Sequence, residues 1–126
     1  MNYSANQSIF IQIADRICDR ILSGEYLPEA RIPSVREMAI DMEVNPNTVM
    51  RSYERLQNSR IIYNKRGIGY FTSSDAKDKI IEIRHRDFMK EVLPAVFNEM
   101  SLLGISIKEV TDAYTNFLST KKQNEL

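Results

Sequence analysis

The sequence has a single cysteine, Cys18, which excludes an intramolecular disulfide and a four-thiolate zinc site. It has a single histidine, His85, which excludes a multi-histidine metal site. Neither charge is in excess: 17 Lys and Arg stand against 17 Asp and Glu. A polybasic, histone-like binder is therefore excluded, and any anion-binding face must be a local patch. No apolar run approaches the roughly 20 residues that span a bilayer. Met1 to Asn6 is polar and lacks the basic-then-apolar layout of a signal peptide. The expectation is a reduced, cytoplasmic protein with no membrane contact. No Ser/His/Asp set, Cys/His pair or phosphate-cradling glycine loop is visible, so neither catalysis nor a cofactor is expected. Asp75, Asp78, Glu82 and Asp87 fit no metal-ligand spacing and read as solvated surface.

What the sequence does have is enough apolar material for a core: 43% of its 126 residues are hydrophobic and 27% charged. Phe10, Ile13, Ala14, Ile17 and Ile21 recur every three or four residues, so Ser8–Ser23 reads as an amphipathic helix, stopped by Gly24. A loop with Pro28 and Pro33 follows. Ser34-Val-Arg-Glu37 is a capping-box pattern and opens a short helix from Val35 to about Met42. Asn45 is a suitable N-cap and Pro46 suits the first helical position, which starts a third helix running to about Asn58. Val49, Tyr53 and Leu56 share its inner face; Asn47, Arg51 and Arg55 lie on its outer side. Ile61–Tyr63 and Tyr70–Thr72 read as two strands, with a tip from Asn64 to Gly69. A long helix from about Lys77 to Leu103 is predicted to kink near Lys90–Pro94, because proline removes a backbone donor. Ser106-Ile-Lys-Glu109 opens a last helix, predicted to end near Thr120.

This order predicts a mostly α fold with a small β-hairpin wing: a winged helix-turn-helix followed by a two-helix C-terminal dimerisation segment. Residues 1–72 form the first domain, 73–78 a linker, 79–120 the two helices and 121–126 a frayed tail. A helix about 10–12 Å across fits a major groove about 12 Å wide. The start of a recognition helix reaches base edges. Here that start carries Asn45, Asn47 and Thr48. Arg51 and Arg55 can bond guanine or phosphate, and Lys65 and Arg66 beside Gly67 suit a wing tip on the backbone or in the minor groove. Charge gives weak support: residues 1–72 hold nine Lys and Arg against eight Asp and Glu.

Phe10-Ile-Gln-Ile13, Leu27-Pro28, Ile32-Pro-Ser-Val-Arg-Glu-Met-Ala39, Val44-Asn-Pro-Asn-Thr-Val49, Tyr53-Glu-Arg-Leu56 and Arg66-Gly-Ile-Gly-Tyr-Phe71 together resemble the DNA-binding domain of GntR-family bacterial transcription regulators. The resemblance spans about residues 8–72. Asn45-Pro-Asn-Thr48 and the short C-terminal part are similar to the YtrA-type branch, whose members carry a small two-helix dimerisation segment and often control neighbouring transporter genes. The resemblance implies DNA contacts for Arg36, Asn45, Asn47, Thr48 and Gly67. Pro46 stands where many members have arginine, and Glu29 and Arg60 stand where the family has glycine. At Arg60 the expectation is either an unusual backbone angle or a turn that differs from the family's.

Each of these residues has a plainer alternative. Arg36 can pair with Glu37 or Asp41. Tyr53 and Tyr70 read as packing residues, Cys18 as a small buried hydrophobe and His85 as part of a solvated face. The apolar excess of the long helix exceeds what one short partner helix covers. Pairing with a second copy through Ile81, Phe88, Val92, Val96, Met100, Tyr114 and Phe117 is the expected solution. The resulting expectation is a dimeric repressor on a two-fold double-stranded operator; the sequence names no effector. Two other readings stand beside it. One is a winged helix used for protein contacts, the other a sensor holding a small molecule near Phe88, Phe97 and Tyr114.

Overall fold

The computed structural model describes residues 7–124. Met1 to Asn6, on which the leader reading rests, and residues 125–126 of the expected tail lie outside them. The chain divides into two compact units, Met1–Arg86 and Asp87–Leu126.

In the first unit, α1 (Ile9–Leu22) buries Ile13, Ala14, Ile17, Cys18 and Ile21, the stripe its spacing specifies. α2 (Val35–Met42) begins with a complete capping box. The Glu37 N–H donates to Ser34 Oγ at 3.1 Å, and the Ser34 N–H donates to Glu37 Oε1 at 3.1 Å. Helix α3 (Pro46–Asn58) is capped by Asn45 and buries Val49, Ser52, Tyr53 and Leu56. The two helices have the boundaries expected of them because both start signals are local.

The hairpin pairs β1 (Ile62–Lys65) with β2 (Gly69–Thr72), from Ile62 opposite Thr72 to Lys65 opposite Gly69. Ile61 is not in the strand; its N–H closes the end of α3 on the Leu56 carbonyl at 2.9 Å. The tip is also shorter than expected. Pairing continues to Lys65 and Gly69, leaving Arg66, Gly67 and Ile68, with the Ile68 N–H donating to the Lys65 carbonyl at 2.9 Å. The loop before α2 is partly extended: the Glu29 N–H reaches the Thr72 carbonyl, the Thr72 N–H the Ala30 carbonyl, and the Ile32 N–H the Tyr70 carbonyl. This segment lies along β2 as a third edge. Ile17, Ile32, Met38, Val49, Tyr53 and Ile62 fill the space between the helices and the hairpin.

Residues 73–78 form a turn and the opening of α4 (Ala76–Asp87), whose Ala76 and Ile80 belong to the same core. Further along α4, Arg84 binds the Asp19 carboxylate at 2.9 Å and donates to the Asp15 carbonyl at 3.1 Å, clamping α4 to α1. Burial raises the Asp15 carboxyl pKa, and Arg84 opposes the rise.

The second unit contains a π-helical turn, Phe88–Val92, then α5 (Leu93–Leu103) and α6 (Ile107–Asn124). The π-turn lies where sequence predicted a kink. Pro94 has no N–H for the carbonyl four residues back, and the Leu93 N–H instead closes a wider ring on the Phe88 carbonyl. Gly104 ends α5 at φ 68°, and Ser106 Oγ caps α6 by accepting from the Glu109 N–H. α6 runs past the predicted Thr120 to Asn124: Lys121 and Lys122 in its last turn complement the helix dipole. No described side chain of this unit is buried, and α5 and α6 scarcely pack on each other.

Among the described residues, three other than glycine have positive φ: Glu29 at 61°, Glu43 at 55° and Arg60 at 60°. Two of them are the positions where the resembled family has glycine. A left-handed L-residue costs roughly 1–2 kcal/mol, part of which glycine returns through its more flexible unfolded chain. Arg60→Gly and Glu29→Gly are each expected to stabilise the fold by about 0.5–1 kcal/mol. A urea midpoint that does not rise in either variant would contradict this account.

Candidate nucleic-acid interface

The N-terminal end of α3 is open to solvent. Asn45, Pro46 and Asn47 are exposed and Thr48 is half-exposed. Asn45 is already engaged within its own turn, where its Oδ1 accepts from the Asn47 N–H at 2.8 Å. Its Oδ1 is thereby held toward the helix with one lone pair engaged, and its amide donors are left for a base edge. The Asn47 side chain has both atoms available among the described residues.

Arg51 and Arg55 are exposed on the edge of α3 that faces α1. The Arg51 guanidinium lies over the Phe10 ring, 4.2 Å from its centroid. One turn of contacts explains why: Ser52 Oγ donates to the Phe10 carbonyl at 2.6 Å and brings the start of α1 against α3. Arg51, Arg55, Phe10, Glu54, Asn58 and Ser59 line an open groove of about 400 Å³. Arg51 is thus held by a cation–π contact, and Phe10, which periodicity assigned only to a helix stripe, is its support.

Arg36 is exposed on α2 and makes no ion pair among the described residues. Asp41 and Glu37, the two carboxylates offered as its partners, are both engaged elsewhere. Asp41 pairs with Arg20 at 3.3 Å, and Glu37 closes the capping box.

The wing presents Lys65, Arg66 and Gly67 to solvent, but not equivalently. Lys65 Nζ lies over the Phe71 ring, 4.8 Å from its centroid, and Phe71 stacks on Tyr63 at 5.7 Å. Arg66 and Gly67 form the tip together with Ile68, an apolar side chain 60% exposed that sequence reasoning passed over. Tyr53 and Tyr70 pack edge to face at 4.9 Å, which makes them structural rather than base-stacking residues. Cys18 is buried, and burial pushes its thiol up to about 11, so it stays neutral and unreactive.

Of the residues assigned to a dimer contact, Ile81 lies in the first unit and is exposed. Phe88, Val96, Tyr114 and Phe117 are exposed in the second unit, and Val92 and Met100 are half-exposed there. No helix among the described residues is long and apolar enough to cross a membrane.

Comparison with known proteins gives a consistent picture. Residues 11–71 match the family model for bacterial regulatory proteins of the gntR family. The HTH-type transcriptional regulator YhcF of Bacillus subtilis is 35% identical over 115 residues, covering 91% of this chain and 93% of that protein. The HTH-type transcriptional repressor YtrA of the same organism is 31% identical over 102 residues, covering 81% of this chain and 78% of its own. Among solved structures, a GntR-family transcriptional regulator from Bacteroides thetaiotaomicron is 53% identical. It superposes with a TM-score of 0.81, covering 90% of this chain and 99% of that one. A GntR-family regulator from Listeria monocytogenes is 33% identical with a TM-score of 0.72, over 90% and 98% of the two chains.

Proposed function

The chain belongs to the gntR family of bacterial regulatory proteins and is a DNA-binding transcription regulator, and from that premise we propose that it works as a cytoplasmic homodimeric repressor on a two-fold operator. The observation that carries the dimer is the second unit. Among its described residues no side chain is buried, while Phe97, Leu102, Leu103, Ile107, Tyr114 and Phe117 are each at least half exposed. A monomer seldom leaves so much apolar surface in water, and a second copy is the commonest cover. Two-fold pairing also explains how a domain without a large positive charge gains affinity, since two modest sites act together.

In this reading the start of α3 enters the major groove. Asn47 and Thr48 read base edges, and the amide of Asn45 adds a donor. Arg36, Arg51 and Arg55 hold phosphates on either side, and Arg66 with Gly67 brings the wing to the backbone or minor groove. Repression is the activity named for the relative YtrA, and neighbouring transporter genes are the targets that the branch suggests.

The test is fluorescence anisotropy with duplex from just upstream of the protein's own gene, a scrambled duplex as control and light scattering for mass. Tight, salt-dependent binding by a dimer to the first duplex alone is the expected result. Asn47→Ala is expected to cost about 1–3 kcal/mol on that duplex and almost nothing on the scrambled one. Equal losses on both would remove Asn47 from base reading.

A further inference from the structure

Arg31 lies outside every motif that pointed to DNA, yet it sits against the edge of the wing. Its backbone forms an antiparallel bridge with Phe71, so the two side chains emerge on the same face of the hairpin. The neighbouring Ile32 turns the other way and is 1% exposed in the core. On the outer face Arg31 meets Gly69. A Cβ added to Gly69 would lie 2.9 Å from Arg31 Nε and 3.6 Å from both Cζ and Nη2. A real Cβ essentially never approaches so closely, so any other residue here would push the Arg31 side chain aside. The guanidinium is therefore seated against bare backbone, and Gly69 (φ 144°) supplies the space.

The charge on this seated group is not spent inside the protein. Arg31 is exposed and makes no hydrogen bond or ion pair among the described residues. Its field does reach the first turn of α2. Glu37 has its carboxyl pKa lowered first by hydrogen bonds from the Ser34 backbone and hydroxyl, with a smaller contribution from Arg31. Arg31 thus stands between the start of α2, where Arg36 is free, and the wing that carries Arg66. A guanidinium lying on bare backbone, with its donors unused and cations on both sides, suits one class of ligand: an anionic oxygen on an extended polyanion.

We propose that Arg31 is a further DNA contact, a phosphate clamp at the foot of the wing that Gly69 makes possible. The inference rests on the interface reading above and adds a residue to it. A contact of this kind fixes the wing's register on the duplex and carries no sequence information itself.

The experiment is the salt dependence of binding for wild type, Arg31→Ala and Arg31→Lys, on the duplex that wild type binds and on its scrambled control. Thermal melting of each variant accompanies it. Arg31→Ala is expected to weaken both duplexes by a similar factor, roughly tenfold near 0.1 M salt for each protomer bound. The slope of log K against log salt should fall by about one per protomer. Arg31→Lys should recover the slope, and the melting temperature should not move. Unchanged affinity and slope in Arg31→Ala, with wild type still bound, overturns the proposal and leaves the interface reading standing. A loss confined to the specific duplex overturns it in favour of base reading. A loss matched by a lowered melting temperature overturns it in favour of a structural role. Failure of wild type to bind any duplex removes the interface reading itself, and this contact with it.

Discussion

Replacing Phe97 and Phe117 together with glutamate is expected to convert a dimer into a monomer and to weaken operator binding by roughly 10²–10⁴-fold. Both rings are at least half exposed in the single chain, Phe97 at 50% and Phe117 at 58%. Neither supports a core in its own unit, so the substitutions remove no intrachain packing. In a pairing of two copies they would bring four carboxylates onto an apolar surface, where each must lose its hydration. The DNA-binding unit should be untouched, because its core is drawn from α1, α2, α3, the hairpin and the first turns of α4. Three readings separate the outcomes. Mass by light scattering should halve, affinity for a half-site duplex should stay at the wild-type value, and affinity for the full operator should fall to meet it. A double variant that stays dimeric would move the interface off α5 and α6. A monomeric variant with full operator affinity would remove dimerisation from the mechanism.

The sequence foreshadowed the parts of the fold whose causes are local. Ser34 with Glu37, and Asn45 with Pro46, set the starts of α2 and α3, since a cap satisfies backbone groups within three residues of itself. Two misalignments come from partners distant in the chain. Pro28 and Pro33 mark a loop, and nothing near them announces that Glu29–Ile32 will bond to β2 some 40 residues on. The polar stretch 73–78 has the composition of a linker, but Ala76 is small enough to enter the core and begins α4 there. The site follows the same division. Exposure of Asn47, Arg36 and Arg66 follows from helix phase and hairpin geometry. That Arg51 lies on Phe10, that Lys65 lies on Phe71 and that Arg31 rests on Gly69 depends on contacts across elements. The family glycines replaced by Glu29 and Arg60 were visible in sequence as departures. Their positive φ angles identify what those glycines were for.

Tyr53→Ala is expected to remove about 3–5 kcal/mol of stability, a large share of the roughly 5–15 kcal/mol that holds a domain folded. Tyr53 is fully buried, and three elements meet on it. It belongs to α3, its hydroxyl donates to the Pro33 carbonyl at 2.6 Å just ahead of α2, and its ring meets Tyr70 of the wing edge to face. Tyr53→Phe isolates the hydroxyl. It keeps the ring but leaves a part-buried carbonyl without this donor, at a cost of about 1 kcal/mol. The two variants should therefore differ by the packing of the ring, and urea unfolding measures each. The hydroxyl also has a signature in pH. Burial raises its pKa, so the folded protein holds this proton at a pH where the unfolded chain has lost it. Stability attached to the neutral hydroxyl is complete below about pH 10, the ordinary tyrosine value, and declines as pH rises through the alkaline range. Wild type should lose stability there faster than Tyr53→Phe, which has no proton to give up at this position. Parallel stability curves for the two proteins above pH 10 would mean that burial does not hold the hydroxyl neutral.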